Sequence, residues 1–245
     1  MMHTLTKIAF SSLLLLTSCI AAPEKKVIEG VTYHILQVSP DQIQLLWKAD
    51  DGKQLRTFPA TSKYLKGKGI EVETLMNGGI FEPGGIPSGL LVQDRKETNP
   101  VNRNKGEGNF FLQPNGIFMI SDKGAAVIRT DEYPLKNVVV KLAVQSGPLL
   151  LRGGKVHPAF NANSASELHR NGVGVTKTGE VVLVMTDFDS HQVVNFYNFA
   201  QLFKSLGCDD ALYLDGTISQ MRSGADMEKQ SGDFGSIFAV VKAKK

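Results

Sequence analysis

The stretch ALYLDGTISQM, residues 211–221, joins a predicted apolar strand to an acidic turn. Its first four residues, Ala211 to Leu214, are typical of a strand that is buried on both faces. Asp215 and Gly216 follow where the chain must turn out of the sheet. A carboxylate held at such a point by a rigid scaffold is well placed for catalysis. Asp before Gly also commonly caps a turn, so capping is the alternative interpretation of Asp215.

An amphipathic helix is predicted immediately before this strand. Asn195 is a favourable N-cap, and Gly207 is a favourable stop signal. The apolar residues at helical spacing between them are Phe196, Phe199, Ala200, Phe203 and Leu206. We expect the helix to pack against the strand 211–214, which adds an α/β element to the fold.

Hairpin patterns elsewhere in the chain favour antiparallel pairing. The first predicted hairpin covers residues 108–127 with its turn at Pro114–Gly116, and the second covers residues 172–186 with its turn at Lys177–Gly179. Further strands are predicted at residues 31–37, 42–47 and 236–241, and a short helix at residues 60–65. The sequence therefore predicts one α+β domain, residues 23–245, with a mixed, largely antiparallel sheet and a few packing helices.

Residues 1–22 have the pattern of an export signal, with Lys7 as the positive n-region and residues 8–16 as the apolar segment. The apolar segment is too short to span a bilayer. Residues 16–19, LTSC, resemble a bacterial lipobox, which predicts lipid attachment at Cys19. Ordinary signal cleavage after Ala21 or Ala22 is the alternative. The two expected locations are an outer-membrane lipoprotein facing the periplasm and a soluble periplasmic protein.

Composition excludes several classes of partner and site. The formal net charge of +3 is too small to indicate a nucleic-acid partner. The chain has two cysteines, and once Cys19 is lipidated or removed, Cys208 has no partner for a disulfide or a cysteine metal site. The histidines are scattered without a metal-binding pair, so we predict no cofactor and no metal. One cation held by carboxylates and carbonyls stays open as an alternative.

Three further segments carry polar residues beside glycines or turns. The first, MNGGIFEPGGIPSGLL at residues 76–91, contains Asn77 and Glu82 in a loop whose amides can approach a ligand closely. The second places Ser146 before Gly147, and the third places Arg170 where its planar fork can bind a phosphate or carboxylate. The alternative interpretations are an irregular connection for the first segment, a turn residue for Ser146 and a surface salt bridge for Arg170.

Together these segments resemble a known family. The ordered motifs NGGIF, QSGPLL, RNGVGV and LYLDGTIS are similar to those of the phosphodiester glycosidase family, over residues 31–241. The form ALYLDGTISQM further resembles the small bacterial envelope branch of that family. The resemblance implies hydrolysis of a sugar-1-phosphodiester at its glycosidic bond, with a glycan or glycolipid as partner. Membrane contact would come through the N-terminal lipid.

The resemblance also implies roles for individual residues. Asp215 would be the general base or nucleophile, with Glu82 or Asp187 as a second carboxylate, and Arg170 would offset the charge on the departing phosphate. The implied substrate-binding residues are Asn77, Gly78, Ser146, Gly147, His169, Asn171, Gly216 and Ser219.

The chain departs from the family pattern after the aspartate. Many members carry three glycines and a serine there, whereas this chain has GTIS at residues 216–219. Thr217 and Ile218 restrict how closely a ligand can approach the backbone. Two alternative functions stay open beside the glycosidase. One is a phosphoglycan-binding lipoprotein without turnover, and the other is a metal-dependent phosphodiesterase that cuts the P–O bond.

Overall fold

The computed structural model describes residues 22–243. The predicted lipidation site Cys19 and the predicted export signal up to residue 21 lie outside the described residues. Residues 22–243 form a single α+β domain, as the sequence predicted. In this part of the chain no helix is long and apolar enough to cross a membrane.

Strands account for most of the regular structure. They are β1 (Glu24–Ile28), β2 (Val31–Val38), β3 (Ile43–Leu46), β4 (Val72–Asn77), β5 (Phe81–Glu82), β6 (Ile86–Pro87), β7 (Leu91–Gln93), β8 (Lys96–Asn99), β9 (Gly116–Ser121), β10 (Gly124–Arg129), β11 (Val140–Ser146), β12 (Leu149–Arg152), β13 (Lys155–Val156), β14 (Asn171–Thr176), β15 (Val181–Thr186), β16 (Cys208–Asp215), β17 (Met221–Ser223) and β18 (Ile237–Val241). The helices are α1 (Phe58–Gly67) and α2 (Phe196–Ser205).

The strands form three larger sheets and one short ribbon. A seven-stranded sheet has the order β1-β2-β15-β14-β16-β12-β13, and a five-stranded sheet has the order β10-β9-β11-β7-β8. A four-stranded sheet has the order β17-β4-β18-β3, and β5 pairs with β6. The strand pairs within residues 22–243 are antiparallel, for example β16 with both β14 and β12. The largely antiparallel pairing predicted from the hairpins is thus confirmed.

The core lies between the sheets, and α2 and α1 cover the outer faces of the seven-stranded and four-stranded sheets. Strand β15 shows the arrangement, because Leu183 faces the central core with Phe118 and Phe238, whereas Val182 and Val184 face α2 on the other side. A strand that is apolar on both faces is therefore buried on both, as its sequence predicted. On the four-stranded sheet, α1 packs Phe58 and Leu65 against Leu75 and Ile237.

Helix α2 and strand β16 follow the sequence prediction closely. The Asn195 side chain accepts a hydrogen bond from the Asn198 amide at 2.9 Å, and Gly207 ends the helix with a φ of 81°. Phe203 of α2 packs so closely on β14 that a Cβ at Gly174 would lie 2.7 Å from its ring. The glycines of the NGVGV motif therefore make room for the helix.

The predicted position of the turn in the first hairpin is wrong. Strands β9 and β10 pair around a turn at residues 122–123, with Ser121 opposite Gly124. Residues 109–111 form a 3-10 turn, and the Asn115 side chain donates to the Phe110 carbonyl at 2.8 Å. This buried bond folds the Pro114–Gly116 segment onto the residues before it, so the segment leads into β9 without a preceding strand.

Candidate functional site

Asp215 lies at the end of β16 and opens into a groove of about 600 Å³. The groove is lined by residues from four parts of the chain: Ile80, Phe81, Glu82 and Ser88; Glu107 to Phe111; Leu168; and Tyr213 with Asp215 to Ile218. The end of a central strand thus meets three loop segments, which is a common arrangement for a binding site on a rigid scaffold.

The Asp215 carboxyl group is half-buried, and its pKa is raised. Burial raises its pKa from the ordinary value of 3.8 to about 6, although a hydrogen bond from the Gly216 amide acts in the opposite sense. That amide donates to Asp215 Oδ1 at 2.7 Å. A carboxylic acid that titrates near neutral pH can both accept and donate protons in catalysis.

Two asparagines tie the strand carrying Asp215 to the neighbouring sheet. The Asp215 amide donates to Asn171 Oδ1 at 2.7 Å, and Asn171 Nδ2 donates to the Asn77 carbonyl at 2.9 Å. Asn77 Oδ1 in turn accepts from the Gln220 amide at 2.9 Å. The two side chains are buried. Their bonds hold the ends of β14, β16 and β4 together beneath the groove.

Arg170 is fully buried, and its partners are backbone carbonyls. Its Nε donates to Val194 O at 2.7 Å and its Nη2 to Ser166 O at 3.0 Å. The guanidinium carbon lies 3.6 Å from the centre of the Phe196 ring and 5.5 Å from that of Tyr213. Burial lowers the pKa of Arg170, and Tyr213 acts in the opposite sense. The residues described show no ion pair to Arg170, so its charge is not neutralised by a carboxylate contact.

His169 positions the loop that follows Asp215. Its Nε2 lies 2.8 Å from the Ser219 carbonyl, which can only accept, so Nε2 carries the proton. Nδ1 then accepts from the Thr186 hydroxyl. Burial lowers the pKa of His169, in keeping with a neutral ring. His169 and Ser219 are therefore linked to each other directly beside the groove.

Three predicted substrate-binding residues do not line the groove but support its backbone: Ser146, Gly147 and Gly78. The Ser146 hydroxyl donates to the Leu214 carbonyl at 2.8 Å and is fully buried. The Gly78 amide donates to the Ser236 carbonyl at 2.8 Å. A Cβ at Gly147 would lie 2.8 Å from the Phe110 carbonyl. These contacts fix the backbone around Asp215.

The two candidate second carboxylates are in different places. Glu82 lines the groove with Asp215 and accepts a hydrogen bond from the Ser88 hydroxyl at 2.7 Å. Asp187 lines a separate cleft and contacts Lys25 Nζ at 2.7 Å and His34 Nε2 at 3.0 Å. Burial opposes ionisation of Asp187, but hydrogen bonds from Lys25, Ser190 and His34 outweigh it and hold its pKa far below the ordinary range.

Sequence reasoning missed Tyr213, Glu107 and Asn109, which also line the groove. Tyr213 is two residues before Asp215 on the same strand, and period-two alternation places both on one face, so this signal was available. A Cβ at Gly216 would lie 2.7 Å from the Tyr213 hydroxyl, which explains a glycine there. Burial and the charge of Asp215 raise the pKa of Tyr213 to about 12. Glu107 and Asn109 belong to no motif.

Three buried polar atoms near the site have no hydrogen-bond partner within residues 22–243. They are Asn77 Nδ2, Arg170 Nη1 and Ser219 Oγ. Such atoms are rare in protein interiors and each needs an explanation. No group of three or more His, Cys, Asp or Glu side chains in the described residues is arranged to hold a metal ion.

Comparison with known proteins gives one family and a shared fold. A family model described as phosphodiester glycosidase matches residues 71–235. The uncharacterized protein YigE of Escherichia coli (strain K12) is 34% identical to this chain over 194 residues, which are 78% of this chain and 74% of YigE.

Two solved structures are similar in fold. The catalytic domain of zebrafish N-acetylglucosamine-1-phosphodiester alpha-N-acetylglucosaminidase, auto-inhibited by its pro-peptide, has a TM-score of 0.63 at 17% identity, covering 89% of this chain and 81% of that chain. A hypothetical protein from Synechocystis has a TM-score of 0.53 at 12% identity, covering 90% of this chain and 61% of that chain. At these identities the similarity concerns the fold.

Proposed function

The chain belongs to the phosphodiester glycosidase family, and we propose that it hydrolyses the glycosidic bond of a sugar-1-phosphodiester in the bacterial cell envelope. The products are the free sugar and a phosphomonoester. The observation that carries this proposal is the Asp215 carboxyl group, which is held at a strand end in a groove and has a pKa raised to about 6. Perturbed carboxyl groups in clefts are frequent at catalytic sites.

In the proposed reaction the bond between the anomeric carbon and the phosphate oxygen breaks. The phosphate leaves with the bonding electrons, and the oxygen of a water molecule bonds to the anomeric carbon. As general base, Asp215 takes the proton of that water. As nucleophile, Asp215 first bonds to the carbon as the phosphate leaves, and water then displaces Asp215 from the carbon and releases its proton to solvent. Because a phosphate is already a good leaving group, strong assistance from a general acid is unnecessary. The ionised form of Asp215 is the active one in both versions.

Arg170 contributes through its charge. Its guanidinium contacts Tyr213, which lines the groove, and no carboxylate in residues 22–243 forms an ion pair with it. A buried, unneutralised positive charge next to the groove stabilises negative charge as the phosphate leaves. Arg170 thus acts on the phosphate from behind Tyr213. The backbone around the site is kept in place by Ser146, Gly147, Gly78 and the two asparagines.

Of the two candidates for the second carboxylate, Glu82 is better placed, because it lines the same groove as Asp215. A carboxylate there can orient the attacking water or bind sugar hydroxyls. Asp187 lies in the neighbouring cleft, where its bonds to Lys25 and His34 anchor β1 and β2. In this proposal Asp187 supports the structure around His169.

For the cellular setting we propose an exported protein, anchored by a lipid at Cys19 on the periplasmic face of the outer membrane or soluble in the periplasm. The partner is a glycan or glycolipid that carries a phosphodiester-linked sugar. A phosphoglycan-binding lipoprotein without turnover is the second candidate, and it is favoured by Thr217 and Ile218 where many family members have glycine. These side chains narrow the approach to Asp215.

The test is an assay of the signal-free protein with a panel of sugar-1-phosphodiesters, measuring free sugar and sugar-1-phosphate separately. We expect free sugar from the wild type and none from Asp215→Asn, whereas Arg170→Met loses at least about 100-fold in kcat/KM. The matched control is Arg152→Met, because Arg152 is partly exposed and paired with Glu132 and Asp210 away from the groove. Sugar-1-phosphate would indicate P–O cleavage. Binding without either product would favour the second candidate.

A further inference from the structure

Several large apolar side chains line the Asp215 groove and are open to solvent. Leu168 is 43% exposed and Ile218 is 40% exposed, and both line the groove. Phe81 and Phe111 line it as well and are half-buried. These four side chains, which we call the apolar wall, belong to three different loops and β5. Single exposed apolar residues are normal, but several around one groove mark a binding surface.

The apolar wall is held by a fixed backbone. Leu168 exchanges two backbone hydrogen bonds with Val194, at 3.2 and 3.0 Å. Ile218 precedes Ser219, whose amide donates to the Gly216 carbonyl at 2.8 Å and whose carbonyl accepts from His169 at 2.8 Å. The backbone that carries both side chains is therefore held by hydrogen bonds within the protein. A preformed apolar surface binds a ligand without the entropy cost of ordering a loop.

The charges in the groove argue against a polyanionic ligand. Its lining contains the carboxyl groups of Glu82, Glu107 and Asp215, and no Lys or Arg is found among the described residues that line it. Nearby negative charges would repel a nucleotide or a chain of phosphates. One phosphodiester charge, offset by Arg170 behind Tyr213, suits this arrangement better than several charges. We therefore expect the rest of the leaving group to be uncharged.

From this geometry, and resting on the proposed function, we propose that the phosphate of the substrate is esterified to a long hydrocarbon alcohol that lies along the apolar wall. Asp215 faces the anomeric carbon, and the hydrocarbon chain extends past Ile218 and Leu168. The substrate class is therefore a glycosyl phospholipid. The phosphomonoester that leaves is a lipid phosphate.

The test compares two phosphodiesters of the same sugar, one with a methyl and one with a dodecyl alcohol, both below the micelle concentration. We expect kcat/KM to be at least about 30-fold higher for the dodecyl compound, since each buried methylene contributes a factor of roughly four. Ile218→Ser and Leu168→Ser should each reduce that ratio about fivefold or more. The matched control is Val139→Ser, because Val139 is 56% exposed and lies in another cleft.

The outcomes separate the inference from the proposed function. Hydrolysis of both compounds with equal kcat/KM would overturn the hydrocarbon inference and leave the glycosidase proposal standing. An unchanged dodecyl preference in both apolar-wall variants would also overturn the inference, because the preference would then arise elsewhere. Hydrolysis of neither compound, together with no product from the wider panel, would overturn the proposed function and this inference with it.

Discussion

The side-chain oxygen of Asn171 accepts a hydrogen bond from the backbone amide of Asp215 at 2.7 Å, across 44 residues of sequence. The two residues face each other at the ends of β14 and β16. Asn171 also donates to the carbonyl and the side-chain oxygen of Asn77. The buried side chain of Asn171 therefore fixes the backbone of Asp215 at the end of β16.

We expect Asn171→Ala to lower kcat/KM about 100-fold, because an ångström-scale shift of a catalytic group typically costs that much. The variant should also lose roughly 2 kcal/mol of unfolding free energy, since buried backbone groups lose their partners. Kinetics with a phosphodiester substrate and urea unfolding measure the two effects.

Gln93→Ala is the matched control for that variant. The Gln93 side chain bonds to the Trp47 amide, the Lys48 amide and the Lys48 carbonyl, away from the groove. It should lose a similar amount of stability and keep the kcat/KM of the folded enzyme. Equal losses of activity in the two variants would contradict a positioning role for Asn171.

The raised pKa of Asp215 predicts a pH dependence of catalysis. Its pKa is about 6, and the ionised form is the active one in the proposed mechanism. Activity should therefore rise tenfold per pH unit below about pH 6 and level off above it. A phosphodiester keeps its single charge across this range. The acidic limb of a plot of kcat/KM against pH therefore reports the pKa of Asp215 in the free enzyme. A limb near pH 4 would show that burial does not perturb the reacting carboxyl group.

The same shift predicts that Asp215→Asn is more stable than the wild type at pH 7.5. The folded-state pKa is above the unfolded value of 3.8, so between these values the unfolded chain releases a proton that the folded protein keeps. The contribution of Asp215 to stability is fully present below pH 3.8 and is lost as pH rises through about 6. The amide does not titrate, so we expect a gain of roughly 2 kcal/mol. Urea unfolding at pH 7.5 and pH 3.5 should show the gain only at the higher pH.

Gly89 provides a test of packing beneath the groove. A Cβ at Gly89 would lie 2.3 Å from Gln145 Oε1 and 2.8 Å from the Phe110 ring. That oxygen already accepts from the Leu90 and Asn102 amides, so it cannot move freely. We expect Gly89→Ala to cost roughly 2 kcal/mol of unfolding free energy.

The control for Gly89→Ala is Gly67→Ala at the end of α1. Nothing lies within 4 Å of a Cβ at Gly67, which does not have a positive φ. This substitution should raise the unfolding free energy by about 0.5 kcal/mol, because alanine restricts the unfolded chain. Thermal melts of both variants give the comparison, and a neutral Gly89→Ala would contradict the packing account.

Local patterns in the sequence were sufficient for α2, β15 and β16. Each has a regular spacing of apolar residues and clear end signals, such as Asn195 and Gly207, and these act within a few residues of chain. The Pro114–Gly116 turn was misplaced for the opposite reason. Turn residues indicate a bend, but whether strands flank it depends on contacts such as that between Asn115 and the Phe110 carbonyl.

By itself, the sequence determined the α+β class and the family, because periodicity and motif order are properties of short stretches. It also made Asp215 the leading candidate carboxylate. Only the tertiary structure decided which polar residues share the groove. It brought Glu82, Tyr213 and the apolar wall to Asp215, and it put Arg170 behind Tyr213 and Asp187 in another cleft. The physical reason is that sheet pairing joins residues far apart in the chain, and burial then sets their charge and pKa.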